Sequence, residues 1–259
     1  MVALKISRID DDPQSGLPET TIREVVLLKE LSGHPNILTF YDVSCSSQQE
    51  QLCIVTELLD MDLRAFIKRQ KPGGGLPLSQ VKTIAIAILN GIAHCHSNGV
   101  MHRDLKPHNI LLSEDLRRIK IGDFGLARYN HDPSRTLTHE VVTLWYRPPE
   151  VLLGDCRYDR SVDLWSCGCI IAEMLTGRPL FPGDSEIDTL FKIFLALGTP
   201  SKTEWPQNAL EAHENFPRFR GKGLPLPRDA EAFLATMLQT NPAKRCTAAQ
   251  CLEHPWLYS

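Results

Sequence analysis

The stretch HRDLKPHN, His102–Asn109, decides how the rest of the chain reads. It gathers a carboxylate (Asp104), two strong cations (Arg103 and Lys106), a carboxamide (Asn109) and two imidazoles, interrupted by Pro107. It lies within 100–150, a region of short strand-like runs and loops, and a long irregular stretch inside a compact domain is usually functional. DFG follows at Asp123–Gly125 and PPE at Pro148–Glu150, while VALK stands near the front at Val2–Lys5. Each short motif alone is weak. Their order and spacing together are specific, because independent matches multiply.

The segments around these motifs fall into two halves. MVALKISRID reads as a strand, with Val2, Leu4 and Ile6 on one face and Ala3 and Lys5 on the other. PQSGLP is a turn, and ETTIREVVLLKEL carries Ile22, Val25, Val26, Leu28 and Leu31 at helical spacing until SGHPN stops it. ILTFYDVS and QLCIVTELL read as strands around the polar loop CSSQQE. From Asp60 onward the pattern is mainly helical, with helices expected at 60–70, 79–98, 161–176, 185–197, 228–239 and 247–253. Gly99, Gly177 and Gly198 each follow an apolar-periodic run, where a left-handed residue is wanted. A small strand-rich piece with one helix therefore precedes a larger helical piece, with the boundary near 57–62. No internal repeat is seen.

Composition narrows the function classes. Of 259 residues, 42% are hydrophobic and 23% charged, average for a globular protein able to bury a large core. A net charge of -3 gives no global basic field for nucleic acid or an anionic membrane. No stretch approaches the roughly 20 apolar residues of a membrane helix. The eight cysteines include no C-x-x-C pair, so reduced thiols in a cytoplasmic or nuclear protein are expected. Cys167 and Cys169 flank Gly168 in an apolar run and read as small buried residues rather than metal ligands. His94 and His96 are two apart, so on a helix they do not share a face. The glycines at 73–75 follow no strand and read as a flexible linker rather than a phosphate cradle.

The four motifs together resemble the signature set of eukaryotic protein kinases, and the resemblance runs the whole length of the chain. It implies an α+β, two-lobed fold, with a small antiparallel-sheet N-lobe over 1–60 and a large, mostly helical C-lobe over 61–259. It implies ATP and Mg²⁺ as cofactors. Phosphoryl transfer asks for positioning and charge neutralisation more than for covalent catalysis. Asp104 would accept the substrate hydroxyl proton. Asn109 and Asp123 would ligate Mg²⁺, which binds through few protein ligands plus phosphate. Lys106 would neutralise the transferring phosphoryl. Lys5 would bind the α- and β-phosphates, anchored by Glu24 of the following helix. With Asp104 as the base, His102 reads as a packing residue.

Longer stretches narrow the family. GLPETTIREVVLLKEL, THEVVTLWYRPPE, LFPGDSEIDTLFKIFLALGTP and IVTELLDMDLRAFI resemble cyclin-dependent kinases. That resemblance implies a cyclin bound through the PETTIRE helix. It also implies Ser/Thr-Pro substrates and an activating kinase acting on Thr138, whose phosphate Arg23, Arg103 and Arg128 would hold. Ala3, Leu38 and Leu111 would line the adenine slot, the backbone at Glu57 and Leu59 would bind adenine, and Asp62 would meet the ribose. Thr56 stands where these kinases commonly carry Phe and would open a pocket behind the adenine. Val141, Val142 and Arg147 would shape the site for the residue after the phosphorylated one. Glu150 would pair with Arg245. The helix departs from PSTAIRE, PPE replaces APE, and the two strands and G-x-G-x-x-G loop that precede the lysine strand in the family are missing. That loss is expected to weaken Mg-ATP binding and to leave the first strand as a sheet edge. Two classes of function stand: an active kinase, or a non-catalytic protein that sequesters cyclin. All six of Lys5, Glu24, Asp104, Lys106, Asn109 and Asp123 are present, which favours the enzyme.

Overall fold

The computed structural model describes residues 1–8, 18–46, 51–70, 73–129, 143–155, 158–205, 214 and 216–259. The first half folds as β1 (Val2–Arg8), α1 (Glu19–Leu31), β2 (Phe40–Ser46) and β3 (Gln51–Glu57). The strands form one antiparallel sheet in the order β1-β3-β2. Strand alternation puts Val2, Leu4 and Ile6 on the outer face, where they are 48%, 58% and 58% exposed, while Lys5 between them reaches α1. The apolar residues of α1 divide between two faces. Leu27, Leu28 and Leu31 are buried, but Ile22 and Val26, one turn apart, are 48% and 50% exposed.

The second half is larger and mostly helical. It comprises β4 (Met61–Asp62), α2 (Leu63–Lys68), α3 (Leu78–Ser97), β5 (Val100–Met101), β6 (Ile110–Leu112), β7 (Ile119–Ile121) and β8 (Arg128–Tyr129). After them come α4 (Pro149–Leu152), α5 (Ser161–Thr176), α6 (Glu186–Leu197), α7 (Arg228–Ala235) and α8 (Ala248–Leu252). Two small antiparallel sheets, β4-β6-β7 and β5-β8, carry the loops of interest. The hub is α5, buried from Val162 to Met174. A Cβ at Gly168 would stand 2.9 Å from Leu238, so the glycine between buried Cys167 and Cys169 permits close helix contact. The chain has a mixed α+β fold with a small sheet-bearing lobe and a helical lobe.

Several local expectations change. The helix expected over 60–70 starts only at Leu63, because Asp62 is extended and its Oδ1 accepts from Ala65 N at 2.7 Å as an N-cap. The helix expected to reach 239 stops at Ala235, where the Thr236 hydroxyl turns back to Phe233 O at 2.7 Å. The glycines at 73–75 are no slack linker. A Cβ on Gly75 would lie 1.9 Å from Leu175 O, and Leu76 N donates to Met174 O at 2.7 Å. The turn into α8 brings Cys246 and Cys251 side by side, with their Cα atoms 6.2 Å apart, a proximity the cysteine spacing does not suggest. At twenty residues, α3 is long and apolar enough to cross a membrane by composition, contrary to expectation, yet its Val81, Ile84, Ile88 and Ile92 are buried in the core.

Glu150 and Arg245 pair as expected, deep between α4 and the segment before α8. Arg245 Nη1 and Nη2 donate to Glu150 Oε1 and Oε2 at 2.6 and 2.7 Å, and Arg245 Nε donates to Gln239 O at 2.8 Å. Both residues are buried. Removing one partner strands the other charge, whereas removing both does not. Arg245→Met is expected to lower the unfolding free energy by about 3–5 kcal/mol, read from urea midpoints. The double variant Glu150→Gln/Arg245→Met should recover part of that loss.

Candidate active site

The stretch 102–109 is shaped by one carboxylate from outside it. Asp163, in the first turn of α5 and fully buried, accepts from His102 N at 2.9 Å, Arg103 N at 2.8 Å and His96 Nε2 at 2.8 Å. These bonds hold Arg103 in the left-handed region, φ 69°, where a residue other than glycine is seldom found without support. His102 is buried on Phe124, with ring centroids 4.9 Å apart. Its Nδ1 accepts from Asp104 N at 3.3 Å, so its Nε2 carries the hydrogen given to Gly122 O at 3.0 Å. The carbonyl of Gly122 is thereby fixed beside Asp123, itself at φ 60°.

Within this frame the polar side chains converge. Lys106 Nζ donates to Asp104 Oδ2 at 2.6 Å, and Asn109 Nδ2 donates to the same oxygen at 3.1 Å and to Asp104 O at 2.8 Å. These contacts orient the carboxylate and engage only its Oδ2. Across the cleft, Lys5 Nζ donates to both Glu24 oxygens at 2.8 Å and to Asp123 Oδ1 at 3.3 Å. Burial works against the Lys5 charge, but Glu24 and Asp123 outweigh it and raise its affinity for the proton above the ordinary lysine value. Burial likewise opposes the Asp123 charge, and the Lys5 ammonium holds its carboxyl below the ordinary range.

Two adjoining cavities meet at Lys5, Glu24 and Asp123. One, of about 270 Å³, also brings together Leu38, Thr56, Asn109 and Leu111, with Leu28 and Ile54 adding apolar wall. The other, of about 310 Å³, adds Asp104 and Lys106 and runs along Thr20 and Thr21 of α1. Ala3, Glu57, Leu59 and Asp62 do not line them. Ala3 pairs across the sheet with Thr56, Leu59 is buried, and one Asp62 oxygen caps α2. The donor set suits a hard divalent cation. Asp123 is an ionised carboxylate, and the Asn109 amide spends its nitrogen on Asp104, leaving its oxygen as the ligand end. Among the described residues no group of three or more His, Cys, Asp or Glu gathers to hold a metal, in this cleft or outside it, so the cation would rest on Asp123 and Asn109. His94 stacks on His34 at 4.6 Å, and His96 serves Asp163.

The three arginines expected to hold a phosphate approach one another without being alike. Arg23 Nη1 donates to Gly125 O at 3.1 Å and its Nη2 to Glu19 Oε1 at 2.7 Å. Arg103 lies over the Tyr158 ring at 5.6 Å, its Nε buried with no hydrogen-bond partner. Burial first, and among its neighbours the charges of Arg128 and Arg23, weaken its hold on the proton. Thr138, Val141 and Val142 lie outside the described residues, and Arg147 is half-buried after the Leu144–Tyr146 turn.

Asp163 escapes a reading of the sequence, where SVDLWSCGC is an apolar helix with one acidic residue near its start. Burial would raise its carboxyl, but the hydrogen bonds from His96 and the Arg103 N–H outweigh that and lower it. A lowered folded value means stabilisation that is full above the unfolded value of about 4 and lost as pH falls through the folded one. Asp163→Asn turns a donor toward donors. It is expected to cost at least about 2 kcal/mol at pH 7, with the gap to wild type closing as urea midpoints are followed below pH of about 4.

A family model described as protein kinase domain matches residues 1–257 of the chain.

Proposed function

Because the chain belongs to the protein kinase family, a family of ATP- and divalent-metal-using transferases, we propose that it is a serine/threonine kinase of the cyclin-dependent type acting on Ser or Thr followed by Pro. The observation that carries the catalytic part is the Lys5–Glu24 pair at 2.8 Å, joined to Asp123 and facing an Asp104 already oriented by Lys106 and Asn109. A site with no catalytic use has no need to hold two cations and three acids around one cleft.

In this reading Lys5 binds the nucleotide phosphates, with Glu24 keeping its ammonium in place. Leu38 and Leu111 would enclose the base, and the backbone from Glu57 to Leu59, outside the cavity lining but continuous with Thr56 within it, would meet the base's polar edge. Asn109 and Asp123 hold Mg²⁺, which supplies charge neutralisation at the phosphates. Asp104 receives the proton of the substrate hydroxyl at Oδ1, the oxygen not engaged by Lys106 or Asn109. Lys106 lies close enough to stabilise charge on the transferring group.

Regulation follows from α1, because that helix carries Glu24. Its exposed Ile22 and Val26 give an apolar face for a cyclin, and a partner there would fix the Lys5–Glu24 distance. Phosphorylation of Thr138 by an activating kinase would place a doubly charged group near Arg23, Arg103 and Arg128, whose mutual repulsion it would relieve. Arg23 would then leave Gly125 O or share itself between the two. Proline after the acceptor residue is accepted where the site asks for no N–H from it. The protein would work in the cytoplasm, the nucleus or both.

The test is phosphate transfer from ATP to a Ser/Thr peptide library with cyclin present. Selection of proline after the acceptor is expected, and a flat profile would refute the substrate reading. Asp104→Asn should reduce turnover by about 10²–10⁴-fold with the fold intact. Thr138→Ala should remove most of the gain from activating-kinase treatment while leaving the basal rate, and equal activation of the two proteins would exclude that site.

A further inference from the structure

Glu57 closes β3 and begins the connection between the two halves, yet its side chain turns inward and is only 8% exposed. Its Oε1 accepts from Thr39 N at 2.8 Å and from Thr39 Oγ1 at 2.6 Å, and lies 3.0 Å from Lys120 Nζ. The Lys120 ammonium also donates to Ile37 O at 3.2 Å and meets Thr39 Oγ1 at 3.4 Å. Lys120 is itself 9% exposed, at the middle of β7 on the strand that leads to Asp123. One buried cation thus ties together the connection, the 37–39 segment and the strand behind the metal end of the cleft. A buried ammonium is costly unless it is paired and hydrogen-bonded, and this one is both. Nothing in the catalytic scheme uses it.

We propose that Lys120 is a positioning residue for the nucleotide base, gripping the Glu57 side chain so that the Glu57–Leu59 backbone is fixed where the base binds. This rests on the nucleotide site proposed above. Burial opposes the Glu57 charge, and the hydrogen bonds from Thr39 and Lys120 outweigh it, so the carboxyl stays below its ordinary range and the grip persists at neutral pH. Without Lys120, Glu57 would be a buried carboxylate with only Thr39 to hold it, and the backbone would move to bring it to water.

The experiment compares adenosine, which has a base and no phosphate, with Mg-ATP by calorimetric titration of the full chain. Thermal unfolding without nucleotide verifies that each variant is folded. Lys120→Met is expected to weaken both ligands by the same factor, about tenfold, because the loss arises at the base. Lys120→Arg should keep more affinity than Lys120→Met. Glu57→Gln/Lys120→Met, which leaves no unpaired charge, should regain part of it and serves as the test if Lys120→Met does not fold. Unchanged affinities in folded variants would overturn the proposal, and so would a loss for Mg-ATP without one for adenosine. Wild-type protein that binds neither ligand would overturn the nucleotide site and this proposal together.

Discussion

Asp163 accepts three hydrogen bonds at zero exposure, two of them from the consecutive backbone N–H groups of His102 and Arg103. An isolated carboxylate would not survive there. Three donors offset its desolvation, and in return they fix two adjacent peptides in a conformation the chain would not choose. Arg103 at φ 69° costs on the order of 1–3 kcal/mol. From that anchored turn follow the His102 ring, the Gly122 carbonyl it holds and the direction of Asp104. The polar cleft is an overhang built on one buried acid of α5.

The opposite wall is held differently. Lys5 lies on an edge strand and is half exposed, with a side-chain exposure of 50%, so its attachment to Glu24 is strong in geometry but open to water. Exposed pairs contribute little alone. The cleft therefore has a floor anchored on the buried α5 and a wall whose ion pair comes from α1. Lys120, buried on β7, reaches from the strand leading to Asp123 to the Glu57 side chain.

Much of this arrangement is legible in the amino-acid sequence. HRDLKPHN, DFG and the VALK lysine identify themselves because phosphoryl transfer constrains residue type at fixed spacing. The helix Ser161–Thr176 falls where its apolar run begins and ends. What escapes has physical reasons. Asp163 carries no local signal, since its three partners come from other parts of the chain. Glu57 reads as a backbone contact alone, and nothing in QLCIVTELL says its side chain turns inward. The pattern overestimates the length of α7 because Met237 and Leu238 continue an apolar run that the chain satisfies in a turn instead. The Cys246–Cys251 proximity depends on the geometry of one turn, which spacing alone does not specify.

The three glycines between α2 and α3 look like slack, the sort of place where a protein engineer would insert a tag or a sensor domain. Backbone lies against backbone there. A Cβ on Gly75 would overlap Leu175 O, and one on Gly177 would come within 2.5 Å of Gly74 O. The end of α5, which begins with the acid that shapes the cleft, is clamped by this strap at its far end. A graft at 73–75 would have to part the two backbones at the end of the helix whose first turn holds Asp163. Low-complexity composition here marks a seam, and the tolerant insertion sites of this protein must be sought elsewhere.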